Sequence, residues 1–298
     1  MEAQTKTLIK RFLVPLLFAN LAVFAGYIQF QPDFLMHINF YDVGQGDSIL
    51  IQTYLGNQIL IDGGPSDAVL GHLGQDLPFF DRTIDMIILT HAHNDHVAGL
   101  IDVLKRYRVK KVILPEVAFE SGPYKEFLNL IEEKNVERIF AHAGQRIYLD
   151  SGTVFDVYYP YGKVAGVTSS GKYQLESDDL NDTSIVGKLS FGKNKILLTG
   201  DAGINVEQQL LLQYDLDSDL LKVGHHGSRH STSKEFLKEV TPEYSVIQVG
   251  KNNYGHPTQE TLDNLAAASV QVFRNDQNKT VRFVSDGVNL YPVRNPMR

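Results

Sequence analysis

The stretch Thr90-His91-Ala92-His93-Asn94-Asp95-His96-Val97-Ala98-Gly99-Leu100 constrains this chain more than any other. Three imidazoles and a carboxylate within six residues do not suit an ordinary core, because buried groups of that kind need partners. They follow Ile84–Leu89, a nearly all-apolar run that reads as a strand buried on both faces. They precede apolar residues at Val97, Leu100, Ile101 and Leu104, the spacing of one helix face. An extended approach puts His91 and His93 on one side of the chain, and the turn into the helix points Asp95 and His96 differently. One loop then serves two cations; a solvated polar loop is the plain alternative.

Two more apolar strands end in groups of the same kind. Ile196-Leu197-Leu198-Thr199-Gly200-Asp201 ends in an aspartate, and Leu220-Leu221-Lys222-Val223-Gly224-His225-His226-Gly227-Ser228 in paired histidines. Alone, Asp201 reads equally as the cap of a helix over 203–213, and the histidines as a polar turn. Together with the first loop they read as the rest of a ligand set, at strand ends where α/β sheets place ligands. The chain has no cysteine, so disulfides, thiolate clusters and a cysteine nucleophile are excluded. Metals therefore fall to His and carboxylate, which suit zinc, iron or manganese.

Strand patterns are expected at Leu35–Tyr41, Asp47–Thr53, Gln58–Ile61, 84–89, 111–114, 137–140, 145–149, 153–159, 183–191, 194–199, 219–223, 244–249, 270–274 and 279–285. Helices are expected at 95–107, 123–134, 203–213, 232–239 and 258–268, and a long polar loop at 160–182. Runs of strands separated by helices imply an α/β fold of two packed sheets with helices outside. At 43% apolar and 21% charged the chain is not disordered, and a net charge of −7 gives no sign of a protein that coats nucleic acid. Lys105, Arg106, Arg108, Lys110 and Lys111 read first as a solvated helix end and second as a phosphate track.

The N-terminus speaks to location. No charge falls between Phe12 and Gln31, and Lys6, Lys10 and Arg11 precede this mostly apolar run. A spanning helix needs about 20 such residues. Residues 1–32 are expected to be a membrane anchor, in contact with lipid over 8–31, or a signal peptide with Val23 and Ala25 before its cleavage site. Either places the remaining domain, 33–298, outside the cytoplasmic membrane.

The motif at 91–96, with Leu60-Ile61-Asp62-Gly63-Gly64, resembles the metallo-β-lactamase superfamily. More narrowly, Asp42-Val43-Gly44-Gln45-Gly46-Asp47-Ser48, Asn181-Asp182-Thr183-Ser184, Leu198–Asp201, Gly224–Ser228 and Tyr254-Gly255-His256-Pro257 resemble the extracytoplasmic metallo-β-lactamase domain of ComEC-type competence proteins. The resemblance runs from about 36 to 285 and covers neither the many membrane spans nor the small β-barrel domain of those proteins. It implies a four-layer αβ/βα sandwich with two divalent ions, zinc or manganese, in a groove at one edge. By motif, His91 and His93 would hold the first metal, Asp95, His96 and His225 the second, and Asp201 would bridge them. Asp62 would order the metal loop. Where many members have a further histidine, this chain has Asn181 and Asp182, either of which would serve as an oxygen ligand and bring manganese forward. His142 lies outside the motif order.

The resemblance implies a metal-dependent hydrolase, with a phosphodiesterase or nuclease acting on DNA as the leading expectation and a separate channel protein as a candidate partner. In such a reaction Asp95 and Asp201 belong to the catalytic centre. His256 is the first candidate, and His226 the second, to contact a phosphate or protonate the leaving oxygen. A hydrolase of a small phosphodiester, lactone or lactam is the alternative enzyme. A non-catalytic DNA-binding subunit is the alternative outside catalysis.

Overall fold

A computed structural model of the chain describes residues 11–21, 23, 24, 33–162 and 180–293. It divides into two units, 1–33 and 34–298. In the first, residues 11–21 are helical. Among the described residues no helix is long and apolar enough to cross a membrane, and much of the anchor or signal segment expected over 1–32 lies outside them.

The second unit holds two sheets. The strands are β1 (Met36–Phe40), β2 (Ile49–Gln52), β3 (Gln58–Ile61), β4 (Thr83–Ile88), β5 (Arg108–Pro115) and β6 (Glu137–Ala141), followed by β7 (Arg146–Tyr148), β8 (Thr153–Tyr159), β9 (Val186–Phe191), β10 (Asn194–Leu198), β11 (Leu220–Lys222), β12 (Tyr244–Ile247) and β13 (Gln271–Arg274), and last β14 (Val281–Ser285) and β15 (Leu290–Val293). One sheet has the order β15-β14-β1-β2-β3-β4-β5-β6 and the other β13-β12-β11-β10-β9-β8-β7. Pairing is antiparallel from β15 to β3 and parallel from β3 to β6. The second sheet is likewise antiparallel from β7 to β10 and parallel from β10 to β13.

Alternation along the strands builds three cores. Ile49, Ile51, Ile59 and Ile61 meet Phe155, Leu189, Ile196 and Leu198 between the sheets. Leu50, Leu60 and Ile87 face outward under helices α1 (Ala68–Asp76), α2 (Asn94–Arg106) and α3 (Gly122–Glu133). Leu197, Leu221 and Ile247 do the same under α4 (Ile204–Leu211), α5 (Lys234–Val240) and α6 (Gln259–Ala267). Three cores separate four layers, helix–sheet–sheet–helix. Ser121, Ser233 and Thr258 cap α3, α5 and α6 through their hydroxyls.

Two of the labelled elements are not expected from the sequence, nor is a short helical turn over Asn275–Asn278. Helix α1 contains Gly71 and Gly74, which hide its periodicity, and β15 carries Pro292, which an edge strand tolerates. Three of the five basic residues near α2 are ion-paired: Lys105 to Glu126 at 2.7 Å, Lys110 to Asp85 at 2.6 Å and Lys111 to Glu137 at 3.4 Å. That is the solvated-surface reading of the cluster. Residues 163–179 of the long polar loop lie outside the described residues.

Candidate metal centre

The parallel halves of both sheets end at one edge, and the chemistry-bearing residues follow those ends. Asp62 comes after β3, His91–His96 after β4, Asp201 after β10, His225 and His226 after β11, and Gly250–Thr258 after β12. Two glycines make the approach of these loops feasible. A Cβ on Gly99 would stand 2.0 Å from the Gly63 carbonyl oxygen, and one on Gly46 2.2 Å from that of Asp95.

Four side chains converge at the centre. His96 Nε2 lies 3.3 Å from Asp201 Oδ2 and 4.0 Å from Asp95 Oδ2. His226 Nε2 lies 3.2 Å from Asp201 Oδ2 and 3.3 Å from Asp95 Oδ2. Beside them His91 Nε2 faces His93 Nδ1 at 3.0 Å, and His91, His96 and Asp201 offer donor atoms within 4.8 Å of one another.

The tautomers of three of these rings follow from their outer partners. The Thr90 hydroxyl donates to Asp62 Oδ2 at 2.6 Å, so toward His91 Nδ1, 3.1 Å away, it must accept. Asp62 Oδ2 also accepts from His96 Nδ1 at 2.8 Å, and the Gln248 carbonyl accepts from His226 Nδ1 at 2.8 Å. All three rings carry hydrogen on Nδ1 and turn Nε2 to the centre, the arrangement that orients a metal-binding imidazole.

The donor set fits divalent cations. His96 Nε2, His226 Nε2 and Asp201 Oδ1 are buried without a hydrogen-bond partner, a state that costs about 1–3 kcal/mol per group. Burial opposes charge on His96 and His226, yet the carboxylates led by Asp201 outweigh it and hold both imidazoles well above the ordinary histidine value. Burial likewise opposes ionisation of Asp95 and Asp201, and the same histidines overcome it to keep both carboxyls well below the usual range. The centre is thus a concentration of negative charge that calls for positive partners. His91, His93 and His225 are shifted down by burial and stay neutral with lone pairs available.

Of the paired histidines it is His226, rather than the expected His225, that reaches Asp95 and Asp201. The reason is local backbone: His225 and His226 both have positive φ, 46° and 53°, and the turn carries the second ring inward. His225 is left on the open side, with Nε2 3.5 Å from Asn181 Nδ2 and its ring 5.4 Å from that of His256. Asn181, not Asp182, is the oxygen-bearing side chain beside the first histidine pair, and its Oδ1 is buried without a partner. Asp182 is engaged elsewhere: its carboxylate accepts from Gly203 N at 3.1 Å and from Asn205 Nδ2 at 3.3 Å, at the start of α4. Asp201 therefore does not cap that helix. His142 is exposed in the turn after β6. His256 is half-buried on the cavity side, and burial beside His225 and His226 pushes it down to about 4.

Two residues without a role in the sequence reading complete the centre. Lys222, buried at 1% exposure, places its ammonium 2.5 Å from Asp47 Oδ2 and 3.6 Å from Asp201 Oδ1, and donates to the Gly200 carbonyl at 3.0 Å. Burial works against its charge, but Asp47 and Asp201 prevail and raise its pKa. Asp47 in turn stands 3.3 Å from His226 Nδ1. A lysine inside an apolar strand next to a glycine–histidine turn was the available signal.

The centre forms the floor of a cavity of about 560 Å³ whose walls include Asn181, His225, Arg229, Tyr254 and His256. Residues 41–251 match the Metallo-beta-lactamase superfamily. The chain belongs to that superfamily. This metallo-beta-lactamase domain is 30% identical over 266 residues to ComE operon protein 3 of Bacillus subtilis, covering 83% of this chain and 32% of that protein. It is 27% identical to competence protein ComA of Neisseria gonorrhoeae, over 87% of this chain and 34% of that one. Recombination protein 2 of Haemophilus influenzae is 31% identical over 75% of this chain and 26% of its own length. The chain thus spans about a third of the length of these curated relatives or less. Among solved structures, the fold is that of YhfI from Bacillus subtilis (TM-score 0.54, 14% identity, 84% of this chain and all of that one). It is also that of Igni18, a metallo hydrolase from Ignicoccus hospitalis (TM-score 0.52, 17% identity, 83% of this chain and 98% of that one).

Proposed function

We propose that this metal-dependent hydrolase is a phosphodiesterase that cleaves DNA outside the cytoplasmic membrane. The observation that carries the reading is the meeting of His96 Nε2, His226 Nε2, Asp95 and Asp201 beside His91 and His93 on the floor of an open cavity. The competence and recombination names of its relatives support DNA as the substrate. Divalent ions, manganese or zinc, held by these side chains would supply Lewis acidity toward a phosphoryl oxygen and an acidified water for an in-line displacement.

The chain's own residues do the rest. Asp62 and Thr90 fix the rings of His91 and His96, and Gln248 fixes His226, so the ligand geometry is set before substrate arrives. Asp201 lies within reach of His91 and His96 and also of His226, and would help to hold a cation with either set. His226 is buried with Nδ1 committed to a carbonyl, which leaves contact with a phosphate oxygen to His256, the neutral ring that faces the cavity. His225 and Asn181 line the same open side, where a phosphate would meet them.

The uncharged run from Phe12 to Gln31, with basic residues before it, supports a membrane anchor or a signal peptide and thereby an extracytoplasmic domain. A separate channel protein is the partner this location calls for.

The activity test incubates the metal-stripped chain, resupplied with manganese or zinc, with DNA, a simple phosphodiester and a lactam, beside Asp201→Ala. DNA cleavage that needs metal and vanishes in the variant is expected. Turnover of the lactam alone would transfer the chain to another substrate class. Because the chain has no cysteine, a single Glu132→Cys provides the location test. An impermeant maleimide should label it on intact cells, and labelling only after lysis would place the domain inside.

A further inference from the structure

The metal ligands occupy the floor of the cavity, and its rim carries two groups that a small phosphodiester would leave unused. Tyr254 is 75% exposed although it lines the cavity. Scattered surface aromatics are ordinary, but this one is held in place. Asn252 accepts from the backbone N–H groups of Tyr254 and His256 through Oδ1, at 3.0 and 3.1 Å, and donates to the carbonyls of Gly250 and His256 through Nδ2, at 3.0 and 2.8 Å. Four bonds from one side chain fix the loop, and Gly255 closes it with φ at 75°. The Tyr254 ring sits 5.9 Å from that of His256, at 32° to it, and His256 is 5.4 Å from His225. With His225 in turn 6.0 Å from His226, a line of rings runs from the solvent to the candidate metal ligands.

Arg229 lines the same cavity, is exposed, and makes no ion pair with another described residue. Three of the five basic side chains around α2 are neutralised by carboxylates; among the described residues none faces this guanidinium. A free guanidinium presents a planar fork that matches a phosphate.

We propose that Tyr254 and Arg229 form a subsite for the nucleotide next to the scissile phosphate, with Tyr254 stacking on an unpaired base and Arg229 holding a neighbouring phosphate. The substrate class is single-stranded DNA. In a duplex each internal base has both faces covered by its neighbours, so only a single strand or a frayed end offers a face to the tyrosine. Stacking and backbone attraction of this kind tolerate any sequence. The inference rests on the phosphodiesterase reading.

The test measures steady-state cleavage of a single-stranded oligonucleotide, its blunt duplex and bis-p-nitrophenyl phosphate by the wild type, Tyr254→Ala, Tyr254→Phe and Arg229→Ala. Loss of one stacked base raises KM for the single strand roughly 5- to 150-fold in Tyr254→Ala. Its kcat should hold, and Tyr254→Phe should retain wild-type behaviour because the ring face is kept. Arg229→Ala should raise KM for the single strand and flatten its salt dependence. Neither alanine variant should lose turnover of the small diester. An unchanged single-strand KM in Tyr254→Ala, or a wild type that prefers the duplex, overturns the subsite. If the wild type cleaves neither DNA nor the small diester, the phosphodiesterase reading itself has failed. Fluorescence anisotropy of labelled single strand with metal-free protein then decides the subsite alone: Tyr254→Ala must bind more weakly and Tyr254→Phe must not.

Discussion

Replacing Lys222 by methionine is the sharpest test of how the centre is built. The ammonium is 1% exposed, 2.5 Å from Asp47 and 3.6 Å from Asp201. Methionine keeps the bulk and removes the charge, leaving two buried carboxylates facing each other's field. Breaking a buried ion pair by removing one partner costs about 3–5 kcal/mol, because the survivor stays charged in a poorly solvating place. For a domain of this size each kcal/mol moves the melting temperature by about 2–4 °C, so a drop of roughly 6–20 °C is expected in EDTA. Manganese or zinc restores positive charge beside Asp201 but not beside Asp47, so the deficit should shrink without closing when metal is added. Circular dichroism melts in EDTA and in metal read both values. The double variant Lys222→Met with Asp47→Leu removes both charges and should recover a large part of the loss. A single variant that melts within about 2 °C of the wild type in EDTA refutes the account, as does a double variant less stable than the sum of the singles.

Thr90→Val deletes the hydroxyl that links Asp62 to His91; metal affinity, read by competition with a chelating dye, should fall about 10- to 100-fold and an unchanged affinity would contradict the tautomer argument. Gly99→Ala forces a Cβ to 2.0 Å from the Gly63 carbonyl and 2.6 Å from that of Ser66; overpacking of this kind costs about 1–3 kcal/mol, visible as a lowered urea midpoint. Glu207 accepts from the backbone N–H groups of Thr232 and Ser233 at the start of α5, and its burial raises its pKa above the ordinary 4.5. Its neutral form is favoured by the fold, so the stability it contributes is present below pH 4.5 and is lost as pH rises through the raised value. Glu207→Gln should lack that loss, so the wild-type melting temperature should fall relative to the variant's on going from pH 4 to neutrality; a constant difference would refute the shift.

The sequence displayed the edge of the sandwich plainly because each parallel strand is a short apolar run that stops at a ligand. His91, His93, Asp95 and His96 could be read from one loop, since their spacing alone distributes them. The choice between His225 and His226 could not, because it depends on left-handed backbone at both histidines themselves, which the flanking Gly224 and Gly227 do not reveal. Asn181 and Asp182 were equally ambiguous: adjacent side chains diverge, and Asp182 is drawn off by a helix N-terminus that only the folded chain brings near. Lys222 was written in a strand but its partners, Asp47 and Asp201, come from both sheets, which no local pattern reports. The helix with Gly71 and Gly74 and the edge strand with Pro292 were hidden for a simpler reason, local residues that weaken the expected periodicity.

The donors that meet at Asp201 come from opposite halves of the sandwich: Asp95 and His96 hang from the sheet that begins the domain, Asp201 and His226 from the other. A cation gripped there would work as a clasp across the seam between two slabs, adding to the Lys222–Asp47 ion pair and to the bonds from Gln248 to the Tyr41 and Ser48 carbonyls. Chelation should accordingly loosen the whole book rather than one page. Amide exchange should quicken on β4 and β10 together, and the same residues that do the chemistry would decide how tightly the protein is shut.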